Sequence, residues 1–394
     1  MLSFAADWLN LLVRWAHLVV GIGWIGSSFY FIALDLSLRK RERMNEGVYG
    51  TAWQVHGGGF YHVEKYLVAP STLPGDLVWF KWEAYLTFVT GFALLAIQYY
   101  WNASAYLIDT AVLAMTPGEA IVISVASLAA GWFGYDALCR SAIGRNTLTL
   151  AIALFVMIVG FSILFTHVFS GRGALIHVGA FIGTIMAANV FAVIIPNQRV
   201  VTASLLAGEP PDPALGAVAK QRSIHNNYLT LPVLVLMVSN HYPMLTGHPH
   251  AWLLVALILV IGGAVRHFLN RHDAGDEFGR FWWTLPVAAV PLIVAMAMTA
   301  PRAGTGAGGE AAVPDAEVMA IVETHCTACH SATPSHAGFE APPKGVVLTS
   351  IEDLRRFAVP VEQQAVMSTA MPLGNETGMT TEERGRLGAW LAAQ

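Results

Sequence analysis

Charge is what this sequence has least of. Only 12% of its 394 residues are Asp, Glu, Lys or Arg, against roughly 25% in an ordinary soluble domain. Because 55% of the residues are hydrophobic and run in long blocks, a chain soluble along its whole length is excluded. With a net charge of −4 and no clustered basic stretch, nucleic acid is not an expected partner. Cysteine is nearly absent: of three, two lie within one five-residue motif, which excludes a disulfide framework. No adjacent His-His pair occurs, which disfavours a haem–copper oxidase core. No G-x-S-x-G elbow occurs either, so "HGGGF" at 56–60 is not the oxyanion loop of a lipase. "GIGWIG" at 21–26 lies inside an apolar run rather than between a strand and a helix. It reads as a small-residue packing face, not a nucleotide loop.

What the sequence has in quantity is apolar runs of bilayer length, about 20 residues each. Eight are expected to be transmembrane helices: 8–36, 82–101, 119–139, 147–169, 173–195, 228–246, 250–270 and 282–299. The first carries its positive charges after the apolar stretch, unlike a cleavable signal peptide. Lysine and arginine fall on one side. The connections after spans 1, 3, 5 and 7 hold Arg39, Lys40, Arg41, Arg43, Lys65, Lys81, Arg140, Arg145, Arg199, Lys220, Arg222, Arg271 and Arg280, and those after spans 2, 4 and 6 hold only Arg172. The positive-inside rule then places the odd exits in the cytoplasm of a bacterial inner-membrane protein and both termini in the periplasm. The expected fold is all-α, a polytopic bundle of about eight membrane helices over 1–299. A Gly/Ala/Pro linker at 300–313 and a small polar domain at 314–394 complete it.

In that last domain "VETHCTACHS", residues 322–331, contains C-x-x-C-H. Cys326 and Cys329 are placed to form thioethers to haem vinyls and His330 to ligate the iron, a covalent haem c. "AEVMAIVETH" reads as the helix before such a motif, and "TTEERGRLGAWLAAQ" as a closing helix with Thr380 as N-cap and Glu383 three residues on. "AMPLGNETGM" offers Met371 as second axial ligand, with Met367 and Met379 as rivals. The tail resembles small class I cytochromes c. Haem is attached outside the membrane, where the charge rule also puts the tail.

Histidines inside the spans are the next unusual feature. His17, His167, His177 and His241 lie toward the outer side. Arg14, His17, Gly21, Trp24 and Ser28 share one helical face, where the glycine would admit a macrocycle and Arg14 would meet a propionate. The hydrocarbon layer is ~30 Å thick, too far for one fast electron jump. One or two non-covalent b-type haems between histidine pairs would bridge it; interhelical hydrogen bonding is the plainer role for the same residues. On the inner side the connection between the first two spans, "RKRERMNEGVYGTAWQVHGGGFYHVEKYLVAPSTLPGD", combines cations, histidines and the aromatics Trp53, Phe60, Tyr61 and Tyr66. That mixture suits a flat anionic heterocycle. His56, His62, Glu64 and Lys65 are the candidate catalytic residues, with Asp136, His225, Arg266 and His267 as possible walls.

These stretches together give the chain a resemblance to the membrane-bound urate hydroxylases of bacterial purine degradation, which carry a fused C-terminal cytochrome c. "WLNLLVRWAHLVVGIGWIGSSFYF", "WQVHGGGFYHVEKY", "LPGDLVWFKWEAY", "IPNQ" at 195–198, "CTACH" and "MPLGNETGMT" carry it over the full length. The resemblance implies oxidation of urate to 5-hydroxyisourate, with water as oxygen source and electrons sent to the fused haem. A soluble cytochrome c or terminal oxidase would accept them next. It assigns no catalytic residue. A membrane electron relay or quinol-oxidising subunit without purine chemistry is the alternative expectation, and a redox-gated transporter a third that leaves the cytochrome unexplained.

Overall fold

The computed structural model describes residues 2–67, 73, 76–300, 313–336 and 338–394. The 300–313 linker, but for its two end residues, lies outside them. All eight apolar runs are helical. They form α1 (Leu2–Ser37), α2 (Trp82–Leu95, continued by a π-helical turn Ala96–Tyr100), α4 (Pro117–Arg140), α5 (Thr147–Thr166), α6 (Gly171–Ala188), α8 (Pro213–Val238), α10 (Ala251–Asp273) and α11 (Thr284–Thr299). A π-helical turn, Asn189–Ile194, joins α6 to α7 (Ile195–Leu206), and α3 (Ala103–Tyr106) and α9 (Pro243–Thr246) are single turns at the opposite end.

Five of the described helices are long and apolar enough to cross a membrane: Phe4–Ser37, Pro117–Arg140, Thr147–Thr166, Gly171–Leu206 and Ala251–Asp273. The other three runs fall short for different reasons. The run that begins with α2 is diluted by Glu83, Gln98, Tyr99 and Tyr100, α11 is short, and α8 starts with a polar half that holds Lys220, Arg222, Asn226 and Asn227. The sixth run was therefore placed too late in the chain. Its helix begins at Pro213, and Arg222 is a buried helical residue, not part of a connection.

The all-α expectation also needs correction. Val48–His56 (β1) and Gly59–Tyr66 (β2) pair antiparallel, from His56 opposite Gly59 back to Val48 opposite Tyr66. Gly57 and Gly58, with φ of +59° and +79°, form the two-residue turn, whose positive φ values match the twist of the strands.

The core centres on α6. Two thirds (67%) of the most apolar stretch of Gly171–Leu206 is buried by protein, against 6% of that in Phe4–Ser37, which lies at the periphery. Phe165, Phe169, Phe181, Ile182 and Ile185 fill it beside Tyr135 and Ile158. Without a hydrophobic drive between lipid-immersed helices, close packing at small residues governs their approach. At the crossing of α8 and α10, a Cβ on Gly262 would lie 2.7 Å from Pro232 Cγ, so the glycine is what lets these backbones meet.

The C-terminal domain has its own core, in which Val318, Val322, Leu354, Leu387 and Trp390 pack together. Helix α12 (Asp315–His325) packs on α15 (Thr381–Ala392), with α13 (Ile351–Arg356) and α14 (Ala358–Val361) between them in the chain. Thr380 and Glu383 form the expected capping box.

Candidate functional site

The hairpin separates the four candidate catalytic residues. In an antiparallel pair, side chains opposite each other share a face and alternate along the strand. His62 and Glu64 stand on one face with Trp53, whose ring stacks on His62 at 4.3 Å. His56 and Lys65 stand on the other, where Lys65 Nζ donates to Asp35 Oδ1 at 2.7 Å. Glu64 is also engaged: Tyr66 Oη donates to it at 2.6 Å and Asn45 Nδ2 at 2.9 Å. These two bonds hold its carboxyl below the usual range, which makes it a weak base. His56 is exposed at the tip. The quartet is not gathered into one site.

The helices at the same Arg/Lys-rich end gather a different set. One turn from the Gly262–Pro232 crossing, Arg266 Nε donates to Asn227 Oδ1 at 3.0 Å, and Asn270 Nδ2 donates to the same oxygen at 2.9 Å. The Arg266 guanidinium lies over the Phe29 ring at 3.8 Å. Beside it Tyr228 Oη and His267 Nδ1 share a hydrogen bond of 2.6 Å, and His267 packs on Trp283. Arg266 is only 3% exposed, and no carboxylate of the described residues comes within ion-pair distance of it. Arg266 Nη2, Asn227 Nδ2 and Asn270 Oδ1 are buried without hydrogen-bond partners. Unpartnered buried polar atoms are rare in folded proteins; here they are one on Arg266 itself and one on each of its two amide neighbours.

On the other side of α8 lies a second polar layer. Arg222 Nη2 donates to Asp136 Oδ1 at 2.6 Å, and its guanidinium lies over the Tyr135 ring at 4.8 Å. Tyr135 Oη bonds His225 Nδ1 at 2.8 Å and accepts from Asn189 Nδ2 at 3.0 Å. Asn189 also donates to Asn226 Oδ1 at 2.9 Å. Asp136 also accepts from Arg140 Nε at 2.6 Å, so one carboxylate serves two guanidiniums, and Arg222 Nε, Arg222 Nη1 and Asn189 Oδ1 are likewise buried without partners. With its cation in direct contact with a carboxylate, the layer braces α8 against α4 and α6. Of the suggested wall residues, Asp136 and His225 belong to the brace, and Arg266 and His267 to the unpaired cluster. Asn189, Asn226, Asn227, Asn270, Tyr135 and Tyr228 were not singled out from the sequence. The signal was there, as amides inside apolar helices.

The histidines of the opposite side are dispersed. His17 Nδ1 bonds Thr90 Oγ1 at 3.0 Å and its ring faces Gly91, while Arg14 donates to Asn10. His177 is fully buried, with Nδ1 on Gly173 O and Nε2 on Ser124 Oγ, each at 2.6 Å. His167 Nδ1 meets its own helix at Ile163 O, and His167 and His241 are both exposed. Helix α2 packs against both α1 and α6, standing between His17 and His177. His17 and His177 are each held by hydrogen bonds to their neighbours, and no step is routed through a haem between them.

The tail residues do fit a covalent haem. Cys326 and Cys329 are free thiols one helical turn apart. Burial pushes Cys326 up to about 11 and raises Cys329 as well. His330 Nδ1 bonds Val346 O at 2.9 Å, which sets the tautomer and leaves Nε2 for iron. His325 is not a rival, because both its nitrogens are engaged by Thr377 and Glu383. Of the methionines, Met379 is buried in the core and Met367 is exposed. Met371 packs at the core's edge, and its carbonyl accepts from Arg384 Nη1 at 2.6 Å.

The fold is thus a helical bundle with five helices long and apolar enough to cross a membrane and a buried cation among them. Residues 3–300 match the family described as urate oxidase N-terminal. The chain belongs to that family, which ties it to urate-related oxidation. No curated protein and no solved structure matches the chain.

Proposed function

We propose that the bundle oxidises urate to 5-hydroxyisourate and passes the electrons to a haem c in the tail. The observation that carries this reading is Arg266, a buried guanidinium with no carboxylate in ion-pair contact, Asp273 acting on it only from longer range. An isolated buried charge costs several kcal/mol, so the site favours an anion. A planar one would stack in the aromatic surroundings of Phe29 and Trp283. Asn227 Nδ2 and Arg266 Nη2 supply donors to ring carbonyls, and Asn270 Oδ1 accepts from a ring N–H. This mixed set is what a urate monoanion presents.

The chemistry balances with one water. Urate monoanion and water give 5-hydroxyisourate, one proton and two electrons. His267, hydrogen-bonded to Tyr228, is positioned as the general base for that proton. Arg266 holds the anion and aligns its ring for attack by water at the carbon that gains the hydroxyl. Cys326, Cys329, His330 and Met371 would hold the haem, which supplies a one-electron acceptor, so each urate delivers its electrons in two separate transfers. The odd, basic exits would face the cytoplasm and the tail the periplasm, with eight spans between. A soluble cytochrome or terminal oxidase would take the electrons onward.

The test uses the haem-loaded full chain without dioxygen. Added urate is expected to bring up the reduced α-band of the c-type haem. Reduction by a quinol but not by urate would replace this reading with the electron-relay one.

A further inference from the structure

At the end of the bundle opposite the urate cluster, the tail is seated by its Met371 loop. A Cβ on Gly247, at the end of α9, would lie 2.8 Å from Ser368 Cα and 2.9 Å from Thr369 N. From the other side, a Cβ on Gly374 would lie 2.8 Å from Ser104 O and 3.1 Å from Ile108 O. Only glycine on both surfaces allows so close an approach. Ile108, Thr246, Ser368 and Ala370 are all buried there. Between the two surfaces is a cavity of about 20 Å³, with Tyr106, Asp109, Arg172 and Thr246 on the bundle side and Ala370 and Leu373 on the tail side.

That volume holds about one water, and its walls are polar. Arg172 Nε and Thr246 Oγ1 are both buried without partners, so a bridging water has a donor and a hydroxyl to meet. Arg172 is also the lone Lys or Arg of the connections after the second, fourth and sixth spans. Across the seam, Arg384 Nη1 donates to Ala365 O and Met371 O, both at 2.6 Å. Arg172 and Asp109 thus face the loop that carries Met371 across a single water-sized cavity.

We propose that this seam is the face through which the tail receives electrons, with Arg172 and Asp109 as the positioning residues that hold the Met371 loop on the bundle. The proposal rests on the reading that urate is oxidised within the bundle. Each urate supplies two electrons. A one-electron carrier bound within the bundle brings them across its ~30 Å; they then cross the seam one at a time, and an external one-electron acceptor reoxidises the tail between crossings.

The experiment uses the full haem-loaded chain and two variants. Gly247→Leu places bulk against Ser368 at a backbone φ of −96° that accepts any side chain, and Arg172→Gln removes the cation without bulk. Amide hydrogen exchange of 103–109, 243–247 and 368–375 reports the seam, and stopped-flow haem reduction reports transfer. Both variants are expected to exchange faster in those segments and to be reduced by urate about ten-fold or more slowly. Reduction by a small chemical reductant and the haem midpoint potential should remain as in the parent. Faster exchange with unchanged urate-driven reduction would overturn the electron-entry role. Unchanged exchange in both variants would overturn the seam itself. If urate fails to reduce the parent chain, the substrate reading falls and the entry role with it, while exchange still judges the contact.

Discussion

The hairpin and the α8–α10 cluster lie at the same end of the molecule and are built from similar side chains, yet they differ in solvation. In the hairpin every charge named has water or a nearby partner: Lys65 has Asp35, and Glu64 has Tyr66 and Asn45. In the cluster Arg266 is closed off among apolar helices with donors and acceptors unmet. An exposed ion pair contributes about 0–1 kcal/mol, whereas an unpaired buried cation is several kcal/mol out of balance until an anion arrives. Composition rich in reactive residues does not make a site; desolvation of an unpaired one does.

Five substitutions sharpen that contrast, and a sixth tests the tail. Arg266→Met should have the largest effect, lowering urate-driven haem reduction by about 10³-fold, since truncating one partner of a buried charge pair costs about 2–5 kcal/mol. The same change should leave thermal stability equal or raised, because an apolar side chain replaces an uncompensated charge. A parallel collapse of stability would show that Arg266 is a brace like Arg222. His267→Gln should slow the reaction by ~10²-fold and flatten the acid limb of its pH profile. A base works only when unprotonated, so the parent rate rises with pH and the variant's should not.

Next in size is the acid response of the tail. Hydrogen bonds from the Thr380 amide and hydroxyl, with help from His325, hold Glu383 down to about 2 from an ordinary 4.5. A carboxyl depressed in the folded state stabilises above its unfolded value and loses that contribution as pH falls through the folded one. Tail stability should therefore decline between pH 4.5 and 2, and Glu383→Gln should flatten that decline in thermal melts. The smallest effect is expected for Lys65→Gln, Glu64→Gln and His62→Ala, each changing urate-driven reduction by less than about five-fold. A larger loss in any of them would move the chemistry back to the hairpin.

The parts of this architecture legible in the sequence are those set by local rules. All eight apolar runs are helices, and the Thr380–Glu383 box caps its helix as its spacing requires. The hairpin was missed because its triple glycine drew attention as a possible oxyanion loop. Alternation around Gly57 and Gly58 was the available signal. The cluster was half legible. Arg266 and His267 stood out as ionisable residues in a span, but Asn227, Tyr228 and Asn270 acquire meaning only when the Gly262 crossing brings α8 and α10 together. Arg222 was counted among loop charges because the apolar run begins later than the helix that contains it. Which arginine has a carboxylate and which has none is a tertiary fact that spacing does not carry.

The seating of the tail on the bundle has a kinetic consequence of its own. Donor and acceptor belong to one polypeptide, so their encounter is first order, with an effective local concentration in the millimolar range. A contact worth only about 4 kcal/mol at standard state, a dissociation constant near 1 mM, already keeps a substantial fraction seated. Weak seating of that kind releases quickly, and the tail can visit its external acceptor between two deliveries without tight binding ever limiting turnover.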